Sequence, residues 1–148
     1  MKKTPKLLRL EDEPLWVEVN SLVEYVYSKL PELPEDEKWD TTSRLRSAAN
    51  TLLFAMAEAL GDPSSGAAEF NWGAMRRHAS SLKTMYRFAG RQKFFELEPE
   101  IMVRLDELLR QIDEQIKLIY QRQSDDESGG LDYLQKKFKS REDKNNEG

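Results

Sequence analysis

Apolar residues return every three or four positions through four stretches of this chain, and no stretch alternates convincingly every second residue, so the pattern predicts helices throughout. The first is predicted to open at Pro14, behind Glu11-Asp12-Glu13, which suit the positive end of a helix dipole. Leu15, Val19, Leu22, Val26 and Leu30 form its stripe, widened by Trp16, Val23 and Tyr27, and Pro31 and Pro34 end it. An acidic link, Glu32 to Asp40, leads to a second helix capped by Asp40 or Thr41, with Leu45, Ala48, Leu52, Ala55 and Ala59 on one face and Gly61 as its stop.

Asp62-Pro63-Ser64-Ser65-Gly66 reads as a turn, with Ser64 or Ser65 capping the third helix. That helix carries Trp72, Met75, Ala79, Leu82, Tyr86 and Ala89, with Phe70, Ala74, Met85 and Phe88 beside them, and Gly90 as a stop or kink. Pro99 begins the fourth, whose stripe is Ile101, Leu105, Leu108, Ile112, Gln115 and Ile119, broadened by Met102, Leu109 and Ile116. Ser124 to Gly130 reads as a flexible linker and Lys144 to Gly148 as a disordered end, with Leu131, Leu134 and Phe138 lining a short helix between them.

Four amphipathic helices with short connections predict an all-α, antiparallel up-and-down four-helix bundle over residues 13–123. A basic extension, 1–12, precedes it and a flexible linker and tail, 124–148, follows. The helices hold more apolar and aromatic residues than one core requires, including Trp16, Trp39, Trp72, Phe94 and Phe95, so some are expected to serve self-association or a partner. Composition narrows this further. At 148 residues the chain can bury a core without staples, and it contains no Cys, which removes disulfides and thiolate chemistry. The basic N-terminus has no apolar run behind it and no stretch approaches a membrane span, so a cytoplasmic protein without membrane contact is expected.

Charge is unevenly placed. The chain is net −4, yet between Ser65 and Lys93 six bases, Arg76, Arg77, Lys83, Arg87, Arg91 and Lys93, stand against Glu69 alone. On one helix Arg76, Lys83, Arg87 and Arg91 fall on a single stripe, which with Arg77 can bind a phosphate backbone, aided by Arg44, Arg46 and Lys93. The same bases could instead pair with the fourth helix, where Glu96 to Gln123 hold seven acids against four bases. Both readings stand at this point.

Catalytic constellations are missing from the pattern. His78 is the only histidine, with no acid at helical spacing to orient it, and residues 71–74 lack the arginine that a helical Arg-His ribonuclease motif needs. Residue 75 is Met, so the Glu-x-x-His spacing of a bundle metal site is absent, and no glycine-rich phosphate loop occurs. Asp106-Glu107 and Asp113-Glu114, seven residues apart, have the pattern of a solvated helix face. No enzyme, metal or cofactor is therefore expected. Leu131, Leu134 and Phe138 are the remaining candidates, either a tethered docking peptide or a frayed end.

The segment Glu37 to Ala49, with Ala57 to Gly61, carries Thr42, Ser43, Leu45, Arg46, Ala48 and Ala49, followed by Ala57 and Glu58. This resembles the signature of the bacterial four-helix-bundle family of large-subunit rRNA intervening-sequence proteins and, more distantly, the accessory variability determinants of diversity-generating retroelements. The family's usual Pro-Ala-Asn is here Leu53-Phe54-Ala55, and Ala59 replaces the glycine after Ala-Glu. The resemblance implies an up-and-down protomer that assembles into a ring, often a pentamer, without a catalytic site. In the retroelement branch such a ring has a basic surface and serves a reverse transcriptase and its template RNA. The expectation is thus a homo-oligomeric accessory protein that binds RNA or DNA, a nucleic-acid enzyme such as a reverse transcriptase, or both. The alternative is a protein-protein scaffold whose bases are satisfied internally. Arg46 and Glu58 are expected either to make inter-helix ion pairs or, for Arg46, to contact phosphate.

Overall fold

The computed structural model describes residues 9–62 and 65–146, and it is an antiparallel four-helix bundle with no strand among them. α1 spans Pro14–Lys29, α2 Thr41–Gly61, α3 Ser65–Arg91 and α4 Pro99–Asn146. Short 3-10 turns at Leu10–Asp12, Leu30–Glu32 and Glu35–Glu37 flank α1 and shape the link to α2. Residues 1–8 of the basic extension, together with Pro63, Ser64, Glu147 and Gly148, lie outside the described residues.

The periodic stripes converge on one core. Val19, Leu22, Leu45, Leu52, Met56, Met75, Leu82, Tyr86, Leu105, Leu108 and Ile112 are almost wholly buried. Each such side chain contributes roughly 1.5–3 kcal/mol by leaving water. The small residues Ala48, Ala49, Ala55 and Ala59 of α2 meet Ala74, Ala79 and Ala89 of α3 in the same core, where they let the backbones approach closely. α1 and α4 are joined by charge. Arg104 on α4 donates to Glu18 at 2.7 Å and to the Ser21 hydroxyl at 2.9 Å, and the Glu18 carboxylate raises the Arg104 pKa.

One end of the bundle is closed by an aromatic cluster. The Tyr86 ring stacks on Phe95 at 5.3 Å and meets Tyr25 edge to face at 6.0 Å. Its hydroxyl lies 3.1 Å from that of Tyr25 and accepts the Glu98 amide at 3.1 Å. Burial, followed by these neighbours, pushes the Tyr25 hydroxyl well above its ordinary range. Lys29 spans Glu32 and Glu98 at 3.3 and 3.6 Å beside the Tyr25 ring, tying the end of α1 to the start of α4.

Gly90 is neither the stop nor a kink of α3, which runs on to Arg91. The helix ends in a Schellman arrangement in which Phe94 N donates to Ala89 O and Lys93 N to Gly90 O. Lys93, at φ 61°, occupies the left-handed position that glycine usually fills. Gly90 is small for another reason: a Cβ there would come within 2.7 Å of Leu97 Cδ1 and 2.8 Å of its Cβ. At Gly73, inside the same helix, the nearest atom would be Arg77 Nη1 at 3.6 Å. The same substitution should therefore act in opposite directions. Gly90→Ala is expected to destabilise by about 1–2 kcal/mol net of its helix-propensity gain, and Gly73→Ala to stabilise by up to about 1 kcal/mol, as urea denaturation of both variants would show.

Two expectations change. The linker at residues 124–130 does not interrupt the chain: α4 is one helix of 48 residues, through Gly129 and Gly130 to Asn146. No proline follows Pro99, so every residue beyond it keeps its backbone donor and the hydrogen-bond ladder can continue. Phe70, expected beside the core, is 69% exposed, as is Phe54. Of the five aromatics expected to be surplus, Phe95 is buried, Trp16, Trp72 and Phe94 pack half-buried against the core, and Trp39 is 87% exposed beneath Lys38. The polar break at Gln115 proves harmless because that residue is exposed, and the buried stripe of α4 ends at Ile112.

Candidate nucleic-acid interface

The outer side of α3 is built from Arg77, Ser80, Ser81, Thr84, Arg87, Phe88 and Arg91, which fall opposite the buried stripe of Met75, Ala79, Leu82 and Tyr86. Two shallow grooves flank it. One, between α3 and α4, encloses about 660 Å³ and is lined by Ser80, Lys83, Thr84, Arg87, Phe88, Arg91, Gln92 and Leu109. The other, between α2 and α3, encloses about 560 Å³ and includes Arg44, Ser47, Thr51, His78, Ser81 and Met85, sharing Ser80 and Thr84 with the first. Neither lining contains a carboxylate.

The basic stripe divides into two parts. Arg76 donates to Asp113 at 2.6 Å and Lys83 pairs with Asp106. These pairs follow from register, since the two bases and the two acids are each seven residues apart on antiparallel helices. Four residues beyond Lys83 the same register reaches Met102, not an acid, while Glu98 is held by Lys29. Arg87 and Arg91 consequently have no ion-pair partner among the described residues, and both are exposed. The internal-pairing reading thus holds for one half of the stripe only.

The other predicted bases scatter. Arg44 lines the second groove but is bonded to Asp40 at 2.8 Å. Arg46, Arg77 and Lys93 are exposed and line neither groove. Arg46 and Glu58 form no ion pair among the described residues; the Glu58 carbonyl instead accepts from Asn71 at 3.4 Å. Asp40 is the residue before α2, yet its side chain holds Arg44, while Thr41 Oγ1 donates to Glu37 at 2.8 Å.

No family model matches the sequence, and no curated protein matches it either.

The hydroxyls were not anticipated as site residues. Thr84 donates to the Ser80 carbonyl at 2.8 Å, Ser81 to that of Arg77 at 3.0 Å, and Thr51 to that of Ser47 at 2.7 Å. Each has spent its proton on its own helix and presents lone pairs outwards, as acceptors. Their signal in the sequence is a run of small polar residues, Ser80, Ser81 and Thr84, between two bases on one face. Phe88, expected beside the core, is 45% exposed and lines the first groove between Arg87 and Arg91.

Acid-base chemistry gathers elsewhere. Glu107 is held down to about 2 by Arg110, with help from Gln111, on the solvent face of α4, and Arg110 is raised in turn by Glu107 and Glu114. Glu69 raises the Tyr120 hydroxyl by accepting from it at 2.8 Å. His78 lies half-buried in the second groove, whose lining offers no acid to orient it. No group of three or more metal-ligating side chains occurs among the described residues, and no helix among them is long and apolar enough to cross a membrane.

Proposed function

We propose that this protein is a non-catalytic RNA-binding accessory module whose contact surface is the outer side of α3 with its two grooves. The observation that carries this is the pair Arg87 and Arg91: unpaired guanidinium groups in a carboxylate-free groove of an acidic protein. A surface of that kind costs self-repulsion and is useful where a polyanion neutralises it. The outward lone pairs of Ser81, Thr84 and Thr51 favour RNA over DNA, because a ribose 2′-hydroxyl can donate to them. Phe88, between the two arginines, offers a ring on which an unpaired base can stack, which favours single strands.

Ring assembly, which the family resemblance implies, would repeat the grooves around an axis and let modest patches act together. The client implied by the same resemblance is a nucleic-acid enzyme such as a reverse transcriptase. The scaffold reading draws its support from Arg76 and Lys83, which are satisfied within the bundle.

Salt dependence separates the two. For single-stranded RNA each phosphate contact contributes a slope of about −0.7 in log K against log salt. Affinity should fall about 7-fold between 50 and 200 mM salt if Arg87 and Arg91 alone engage, and about 50-fold if Lys83 and Arg44 leave their carboxylates to join them. Fluorescence anisotropy with a single-stranded oligoribonucleotide reads this directly. Phe88→Ala should weaken single-strand binding by about 1–3 kcal/mol while leaving the slope unchanged. Absence of binding even at low salt overturns the proposal in favour of the scaffold.

A further inference from the structure

The part of α4 beyond the bundle is unexplained by RNA binding. The last bonds to the bundle come from Tyr120 and Gln123, which donate to Glu69 at 2.8 and 3.4 Å. From Ser124 onwards every described side chain is exposed, including Leu131 at 60%, Leu134 at 49% and Phe138 at 63%. A lone helix of this length is marginal in water, and Gly129 and Gly130 weaken it further. A partner that covers Leu131, Leu134 and Phe138 would stabilise it.

The charge pattern identifies which. Asp125, Asp126 and Glu127 form an acidic block without a base, and Lys136, Lys137, Lys139 and Arg141 form a basic block some ten residues later. Neither block makes an ion pair among the described residues; the nearest interaction is Lys137 over the Tyr133 ring at 5.7 Å. Glu127, Leu131, Leu134, Phe138 and Arg141 follow at steps of four, three, four and three, so the leucines and the phenylalanine share one face, with an acid at one end and a base at the other.

We infer that the extension of α4 pairs antiparallel with the same segment of a second copy, about a two-fold axis between Leu131 and Leu134. That register sets Leu131 of each copy against Leu134 of the other and places Asp126 level with Lys139. Each acidic block then lies alongside the other copy's basic block. Parallel pairing would set acid on acid and base on base, which selects against it. The two glycines fall beside the leucine layers, where the absence of side chains permits close approach. The far end of each helix reaches back to the other copy's Tyr120, 52% exposed at the edge of the bundle. A two-helix contact of this length is at the small end for stable interfaces, so the association is concentration- and salt-dependent.

Complementary charge swaps test it by sedimentation equilibrium of the full chain. One variant, K136E/K137E/K139E/R141E, makes both blocks acidic; another, D125K/D126K/E127K, makes both basic. Measured as copies per particle, the wild type should be twice as associated as a chain truncated after Gln123, each variant alone should show the same number of copies as the truncated chain, and their equimolar mixture should regain the doubled number. Circular dichroism should show more helix in the mixture than in the average of the separate variants. A wild type with no more copies per particle than the truncated chain overturns the inference, as does the wild-type association state in either variant alone or failure of the mixture to associate.

Discussion

Tyr86→Ala is expected to lower the unfolding free energy by about 4 kcal/mol, because it removes the largest fully buried side chain together with its polar anchor. The ring is only 1% exposed and packs on both Phe95 and Tyr25. Its loss leaves a cavity where the end of α1, the end of α3 and the link to α4 converge. It also leaves the Glu98 amide and the Tyr25 hydroxyl without the oxygen they now face. Against a typical stability of 5–15 kcal/mol for a whole domain, the change is large, and it corresponds to a fall of roughly 10 °C in Tm. Tyr86→Phe separates the two contributions. It keeps the stack and loses only the hydrogen bonds, so a cost of about 1–2 kcal/mol is expected. Thermal and urea unfolding of the two variants would check both values; equal losses would place the whole effect in the hydroxyl.

The second large effect concerns binding. Reversing both unpaired arginines, R87E/R91E, should weaken RNA affinity about 100-fold at low salt, and the fold-change should shrink as salt rises. Two attractions near a phosphate backbone are lost and two repulsions gained, each about 1 kcal/mol at a solvated contact before screening and about 0.7 kcal/mol after it, which together give about 2.7 kcal/mol, the 100-fold change. Reversal of Arg76 and Lys83 should act differently. These bases face Asp113 and Asp106, so glutamate there sets acid on acid and disturbs the α3–α4 contact at a modest cost in stability. Anisotropy titrations beside unfolding curves distinguish the pairs. If R76E/K83E lowers affinity as much as R87E/R91E does at unchanged stability, the division of the stripe is wrong.

That division shows where sequence reasoning reaches its limit. The spacing of Arg76, Lys83, Arg87 and Arg91 is legible at once as one helix face. Which of them is neutralised depends on the register of α3 against α4, a relation between residues some 23 to 37 positions apart that no local pattern encodes. Phe88 illustrates the same limit. It sits next to Ala89 and two residues from Tyr86, both wholly buried, and only the angle at which α3 rests on its neighbours turns its ring into the groove. Gly90 looked like helix punctuation and proved to be clearance for Leu97, a side chain seven residues away across a turn.

The sequence by itself determined the class of fold, the start of α1 and α4 at their prolines, most of the buried stripe of each helix and the acid-poor character of α3. These follow from periodicity and backbone chemistry, which act over a few residues. The tertiary structure alone decided which bases stay free, that two grooves meet along Ser80 and Thr84, and that the last turns of α4 stand clear of the bundle with their leucines uncovered. Those outcomes depend on how helices of unequal length align, and that alignment is set by the packing of the whole core.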